Sequence, residues 1–196
     1  ETDYWKKRGI IEKIAERFKL GYAAAWRHLK VPATIPLTPR LIIPTSQRSY
    51  IARDTREDIP EGEKKYSKSK VGKVRIFNSE ALQISKKPIF LTEGEIDALC
   101  IMSAGYEAGA EAVGLGSTAN WKNFLQLTEK QKPAQPIIIA LDNDTAGETA
   151  AQEIEEGLRK QGIPHYRLNL YGDSKDAGEA ILKDREALIS AMEKAY

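Results

Sequence analysis

Little in this 196-residue chain suits soft-metal or redox chemistry: it has one cysteine, two histidines and two methionines. A lone cysteine excludes an internal disulfide and a cysteine-based zinc site. Cys100 falls in a helix-like stretch behind Glu93, where a buried, inert thiol is expected, and such usage accords with a cytoplasmic location. His28 and His165 lack metal-ligand company, so packing or surface roles are expected for both. No run approaches the roughly 18 apolar residues that span a bilayer, so no membrane partner is expected. The start, Glu1-Thr2-Asp3-Tyr4-Trp5-Lys6, is not a signal peptide, and the missing methionine is what an excised fragment would show. Internal repeats and low-complexity tracts are also lacking.

What is present is a globular composition, 41% hydrophobic, sufficient for one large domain or two small ones with a core. The net charge of +2 conceals a division. Residues 1–88 carry 20 Lys and Arg against 10 Asp and Glu, and the remainder carries 10 against 18. A basic half that grips phosphates and an acidic half that holds metal would produce this split.

The acidic half alternates strand-like and helix-like segments. Strands are expected at Pro88 to Thr92, Glu111 to Leu115, Pro136 to Asp142 and Tyr166 to Leu170. Helices are expected at Ile96 to Ala104, Ala119 to Leu127, Thr145 to Gln161 and across Ala177 to Lys194. This order predicts an α/β fold with a mostly parallel sheet flanked by helices. The basic half reads as a smaller α+β subdomain. Ile11, Ile14, Ala15 and Phe18 fall at helical spacing, and Pro32, Pro36 and Pro39 predict an irregular connection. Hairpin strands are expected around Leu41-Ile42-Ile43 and Tyr50-Ile51-Ala52, then a charged loop from Asp54 to Lys73 and a short strand at Arg75-Ile76-Phe77. Composition sets the boundary near Ser85-Lys86-Lys87, giving subdomains 1–87 and 88–196.

Two segments carry the chemistry. Phe90-Leu91-Thr92-Glu93-Gly94-Glu95-Ile96-Asp97 and Ile137-Ile138-Ile139-Ala140-Leu141-Asp142-Asn143-Asp144-Thr145-Ala146-Gly147 are apolar runs ending abruptly in acid and glycine. Carboxylates then stand at the carboxyl ends of buried strands, where open α/β sheets keep their ligand sites. Side by side, the two ends gather Glu93, Asp97, Asp142 and Asp144, whose mutual repulsion asks for Mg²⁺ or Mn²⁺. On a strand end Asp142 and Asp144 would face one side and Asn143 the other. Gly94 would permit a sharp turn, Thr145 would cap the following helix, and Glu95 would be exposed. The backbone amides of Gly114-Leu115-Gly116-Ser117-Thr118 could receive a phosphate, or the segment could simply permit a close turn. Trp26 and Trp121 could stack on bases, with core packing their expected role.

The motif pair resembles the Toprim domain of topoisomerases, DnaG-type primases, OLD-family nucleases and RecR-like proteins. In the basic half, Tyr4-Trp5-Lys6-Lys7-Arg8-Gly9-Ile10, Arg17-Phe18-Lys19-Leu20-Gly21-Tyr22, Arg40-Leu41-Ile42-Ile43-Pro44, Lys65-Tyr66-Ser67-Lys68 and Phe77-Asn78 follow in the order seen in the DnaG-type primase RNA-polymerase core. The resemblance covers Tyr4 to about Leu188. It implies template-directed synthesis of RNA primers on single-stranded DNA from ribonucleoside triphosphates, a nucleotidyl transfer assisted by Mg²⁺ or Mn²⁺. It also implies that Glu93, Asp142 and Asp144 are catalytic, with Glu93 the general acid/base or metal-bridging carboxylate and Asp97 and Asp176 further acids at the metals. Arg53, Lys65, Tyr66 and Lys68 match positions that contact template or triphosphate.

Lys175-Asp176-Ala177-Gly178-Glu179 resembles the Lys-Asp-x-Asn-Glu version of the third acidic segment found in phage and plasmid relatives, which points to a mobile element and leaves Asp173 the weaker acid. The zinc ribbon and helicase-binding domain of a complete primase are not in this sequence, so a zinc-ribbon domain and a replicative helicase are expected partners of the full-length protein. A Toprim nuclease would use the same acids with water as nucleophile. A recruiting module would bind nucleic acid without catalysis, and a topoisomerase would need a nucleophilic tyrosine and a strand gate.

Overall fold

The computed structural model describes residues 3–73 and 76–195, and its chain divides into two compact units. The first comprises residues up to Lys7 and Ile11–Arg75, and the second Arg8–Ile10 with everything from Ile76 onward. This division falls ahead of the compositional boundary at 87–88, because the segment before that boundary packs into the second unit. Phe77 makes a single antiparallel bridge to Gly114, and the short helix after it buries Ala81 and Leu82 in the same core.

In the first unit, helices α1 (Tyr4–Lys7) and α2 (Glu12–Arg17) precede four antiparallel strands in the order β1-β2-β3-β4. These are β1 (Gly21–Trp26), β2 (Thr38–Ser46), β3 (Ser49–Asp54) and β4 (Lys68–Val71). The expected hairpin is β2–β3, with Ile42 opposite Ala52 and Ile43 opposite Ile51. Buried apolar side chains come from Ile14 and Ala15 on the helix and from Leu41, Ile43, Ile51 and Ala52 on the sheet.

Three expectations need correction here. The stretch Asp54 to Lys73 is more than a loop, since it holds a 3₁₀ turn over Glu61–Tyr66 and then β4. Pro39 lies inside β2 rather than in the irregular connection. The expected strand at Arg75-Ile76-Phe77 reduces to the Phe77 bridge, with Arg75 outside the described residues. The strand β1 is an addition, because its Tyr-Ala-Ala-Ala core lacks β-branched residues, and only pairing with β2 makes it extended.

One charged network organises this unit. Arg40 and Asp54, directly opposite on β2 and β3, approach to 3.4 Å with their side chains 4% and 0% exposed. Arg56 reaches Asp54 at 2.8 Å and Glu63 at 2.7 Å, and Arg40 Nη1 donates to the Tyr66 and Ser67 carbonyls at 2.8 and 3.0 Å. Burial pushes the Asp54 carboxyl up, but the hydrogen bonds from Arg56 outweigh it and hold the group below its ordinary range. Trp26 stacks edge-on to Tyr50 and lies under the Arg40 guanidinium, so it packs.

The second unit is a three-layer α/β/α arrangement. Four parallel strands run in the order β6-β5-β7-β8, namely β6 (Glu111–Gly114), β5 (Ile89–Thr92), β7 (Ile137–Ile139) and β8 (His165–Arg167). The helices are α3 (Ala81–Ile84), α4 (Glu95–Ala104), α5 (Trp121–Lys130), α6 (Thr145–Lys160), α7 (Ala177–Lys183) and α8 (Arg185–Glu193). Alternate residues of the central strands face opposite layers. Ile89, Leu91, Ile137 and Ile139 share a core with Phe124 of α5 and Ile154 and Leu158 of α6. The other face is covered by α4, which packs on α7 and α8. Both central strands are therefore apolar at every position except Thr92, the pattern of a sheet covered on both sides. Trp121 packs against the α5–α6 core, as expected. Among the described residues no helix is long and apolar enough to cross a membrane.

Removing the Asp54 carboxylate strands two buried or half-buried guanidinium groups. Asp54→Ala should lower the stability of the first unit by about 3–5 kcal/mol, whereas Glu61→Ala, which breaks an exposed pair with Lys64, should change it by less than about 1 kcal/mol. Chemical denaturation of the two variants, read by the Trp26 fluorescence change, checks this.

Candidate metal centre

The strand order makes the site. From β5 the chain crosses through α4 to β6 on one side, and from β7 it crosses through α6 to β8 on the other. Between the carboxyl ends of β5 and β7 the two connections diverge, leaving the crevice where α/β sheets hold ligands. Glu93 follows β5 directly, and Asp97 sits in the first turn of α4.

Asp142 and Asp144 lie beyond the end of β7 at Ile139, so the strand alternation expected for them is absent. Instead the chain turns tightly, the Asp144 amide donating to the Asp142 carbonyl at 2.9 Å. Asp144, not Thr145, caps α6: its Oδ1 accepts from the Ala146 and Gly147 amides at 3.1 and 3.0 Å. A carboxylate can accept two amides at once, which a threonine hydroxyl does less well. Gly147 is needed for space, since a Cβ there would stand 2.2 Å from the Asp142 carbonyl oxygen.

Gly94 also serves closeness rather than a turn. Its φ of −101° is open to any residue, but a Cβ would meet Asp97 Oδ2 at 2.4 Å. Glu95 is a second correction: it is 2% exposed, with Oε1 set against Gly116. The Gly114–Thr118 turn thus packs closely on the start of α4, and Asn120 donates to the Leu115 carbonyl.

The third acidic segment is brought to the same place. Asn143 Nδ2 donates to the Ser174 carbonyl at 2.7 Å, and the Asn143 amide donates to the Lys175 carbonyl at 2.7 Å. Asp176 caps α7 by accepting from the Glu179 amide, and Asp97 Oδ1 accepts from the Gly178 amide at 3.4 Å. Asp173 is exposed. Tyr171 is buried and donates to the Ala140 carbonyl at 2.6 Å, fixing this segment to β7's extension.

Electrostatics register the gathering. Burial, and then the charges of Asp97, Glu93 and Asp176, push Asp142 up to about 7, against a partial pull from Lys175. Asp144 is held below the usual carboxylate range by the Gly147 amide and by Lys175. Among the described residues, no three Asp, Glu, His or Cys side chains already close on one point as a metal-ligand set. Charge converges here without a finished coordination shell. The donors are all hard oxygens, which fits Mg²⁺ or Mn²⁺. Cys100 takes no part: it is buried, donates to the Arg8 carbonyl, and burial pushes its thiol well up.

The residues matched to nucleic-acid contact lie together in the first unit. Arg53 and Lys68 are cross-strand partners on β3 and β4. Lys65 and Tyr66 end the 3₁₀ turn that precedes β4, with the Lys65 ammonium 5.0 Å from the Tyr66 ring centre. Sequence reasoning missed Lys175, whose ammonium lies 3.1 Å from Asp144 Oδ2 and 4.0 Å from Asp142 Oδ2. Its signal was the Lys preceding Asp176, visible but unassigned.

A metal-free pH scan reads the crowding at Asp142. Its folded pKa is about 7 against 3.8 unfolded, so the folded state retains a proton that the unfolded state has lost. Stability from this group is intact below about pH 4, is lost between pH 4 and 7, and by pH 8 the loss reaches on the order of 4 kcal/mol. With EDTA present, Tm should fall from pH 5 to pH 8 in the native protein and much less in Asp142→Asn, as differential scanning calorimetry would show.

Residues 90–181 match the Toprim-like family, whose domains generally bind divalent metal. An uncharacterized protein of Mycoplasma genitalium is 32% identical over 101 residues, 52% of this chain and 44% of that protein. The DNA primase of Mycoplasma pneumoniae is 29% identical over 89 residues, 45% of this chain and 14% of the primase. The chain thus spans less than half the length of these curated relatives.

The primase fragment of the bacteriophage T7 primase-helicase protein has a TM-score of 0.70 at 21% identity, over 97% of this chain and 73% of its own. The Aquifex aeolicus primase, comprising zinc-binding and RNA-polymerase domains, has a TM-score of 0.62 at 19% identity, over 98% and 55%. A third similar chain comes from a complex of T7 lagging-strand DNA polymerase with primase domains bound to an RNA/DNA hybrid and dTTP, with a TM-score of 0.66 at 21% identity, over 96% and 87%. Residues 90–181 of the second unit thus resemble the Toprim-like family, and the chain as a whole has the fold of primase RNA-polymerase domains.

Proposed function

We propose that this chain is the catalytic core of a DNA primase, making short RNA primers on single-stranded DNA from ribonucleoside triphosphates. The observation that carries the reading is the placement of Glu93, Asp97, Asp142 and Asp144 beyond the carboxyl ends of the adjacent parallel strands β5 and β7, in a chain that shares the primase polymerase-domain fold along almost its whole length.

In this reading Asp142 and Asp144 hold Mg²⁺ or Mn²⁺, with Asp97 and Asp176 beside them. The 3′-hydroxyl attacks the α-phosphate and pyrophosphate leaves; a divalent cation at these acids would supply a lowered hydroxyl pKa and neutralisation of the charge that develops on the phosphate. Glu93, at the end of β5, would take the hydroxyl proton or join the acids that would hold the cation. Arg53, Lys65, Tyr66 and Lys68 contact template or triphosphate, with Tyr66 and Ser67 held in place from below by Arg40. A replicative helicase and a zinc-ribbon domain are the partners this reading assigns to the full-length protein. The Lys175-Asp176 version of the third acidic segment supports a phage, plasmid or other mobile-element origin.

Incubated with single-stranded DNA, ribonucleoside triphosphates and Mn²⁺, the chain should yield short oligoribonucleotides on a denaturing gel. Glu93→Gln should lower the yield at least about a hundredfold, since it deletes one charge at the reacting centre while keeping its shape. Metal-dependent shortening of labelled DNA without triphosphate incorporation would instead establish a Toprim nuclease, and neither product would leave a recruiting module.

Single-stranded DNA should bind with affinity that falls steeply as salt rises and depends weakly on sequence. Charge reversal of Lys65 and Lys68 together should weaken binding and reduce the log–log salt slope by roughly 1.4, about 0.7 for each phosphate that is no longer neutralised. Fluorescence-anisotropy titrations at several salt concentrations measure both.

A further inference from the structure

Lys175 presents a cation to the two acids assigned to the metal. Its Nζ stands 3.1 Å from Asp144 Oδ2 and 4.0 Å from Asp142 Oδ2. The other Asp144 oxygen, Oδ1, is committed to the Ala146 and Gly147 amides, so Oδ2 is the atom left to face the site, and Lys175 takes it. The lysine backbone is anchored on both sides, its amide donating to Glu179 Oε2 at 2.8 Å and its carbonyl accepting from the Asn143 amide at 2.7 Å. The ammonium therefore rides on a flexible stem whose root is tied to the acid-bearing loop.

We propose that Lys175 is a built-in counter-ion that competes with the divalent cation for Asp142 and Asp144 and is displaced from them when the cation binds. This rests on the reading that those two acids hold the cation. An ammonium and a metal ion contend for the same oxygen lone pairs, and their like charges repel at this range. Displacement is easy because the Lys175 side chain is 57% exposed and regains water as it leaves. The ammonium is also dispensable for the loop. Asn143 bonds to the Gly172 and Ser174 carbonyls, Tyr171 bonds to the Ala140 carbonyl, and Asp176 caps α7, so the segment stays in place without it. While no metal is bound, Lys175 relieves part of the repulsion among the carboxylates, and that relief sets a threshold which the metal must exceed.

Isothermal titration of Mn²⁺ into the native chain, Lys175→Met, Lys175→Gln, Lys175→Arg and the double variant Asp142→Asn/Asp144→Asn tests this, with thermal unfolding in EDTA alongside. Both neutral Lys175 variants should bind Mn²⁺ about two- to fivefold more tightly, the yield of removing one exposed ion pair, and should unfold at lower temperature than the native chain without metal. Lys175→Arg should resemble the native chain. If the native chain binds and the double variant does not, while the neutral variants bind with unchanged or weaker affinity, Lys175 is a ligand-loop latch and the proposal is wrong. Absence of binding in the native chain would overturn the metal reading itself and this proposal with it.

Discussion

Mutual repulsion of carboxylates at the ends of two adjacent parallel strands is the constraint around which the second unit is arranged. Burial and the neighbouring carboxylates push the Asp142 carboxyl up to about 7, so one more negative charge is barely tolerated there. The surroundings answer that repulsion piecemeal. Asp97 lies in the first turn of α4, Asp144 caps α6 and Asp176 caps α7, so each stands where backbone amides and the helix dipole favour an anion. Lys175 adds one mobile positive charge. These supports keep the acids in place around a carboxyl that a hard divalent cation would relieve of its neighbours' charge.

The placement of helix starts follows from the sheet. In a doubly covered parallel sheet each strand must hand the chain to a helix on one face or the other, and at β5 and β7 the two choices differ. The crevice so opened lies between the connections that leave β5 and β7. Two glycines keep it narrow: Gly94 admits the Asp97 carboxylate and Gly147 admits the Asp142 carbonyl. Either Cβ would push apart groups that the charge centre needs within a few ångströms of one another.

The first unit meets a different electrostatic problem in a different way. Its buried charges are paired, Arg40 and Arg56 against Asp54 and Glu63, and the network ends on the carbonyls that precede β4. Breaking a buried pair of this kind leaves an uncompensated charge, so the network holds the Tyr66 and Ser67 carbonyls against Arg40. The geometry fixed here is that of the segment bearing Lys65, Tyr66 and Lys68, a basic stretch which would otherwise be a solvated loop.

The α/β class, the parallel sheet, the helix order and the two acid-bearing strand ends were legible in the sequence. Hydrophobic runs of strand length followed by acid and glycine have few other structural outcomes. Local composition was silent where partners decide. The alanine-rich β1 became a strand because β2 lay beside it. Glu95 became buried because the Gly114–Thr118 turn closes over the start of α4. Asp144 replaced Thr145 as the cap because the chain leaves β7 early and turns through Asp142. Lys175 joined Asp142 and Asp144 across some thirty residues of sequence because Asn143 ties the two loops together. Sequence by itself thus determined which residues carry charge and which strands carry them to one edge of the sheet, since side-chain hydrophobicity and its periodicity are local properties. Tertiary structure alone decided which charges meet, because that depends on strand order and loop-to-loop hydrogen bonds formed between residues far apart in the chain.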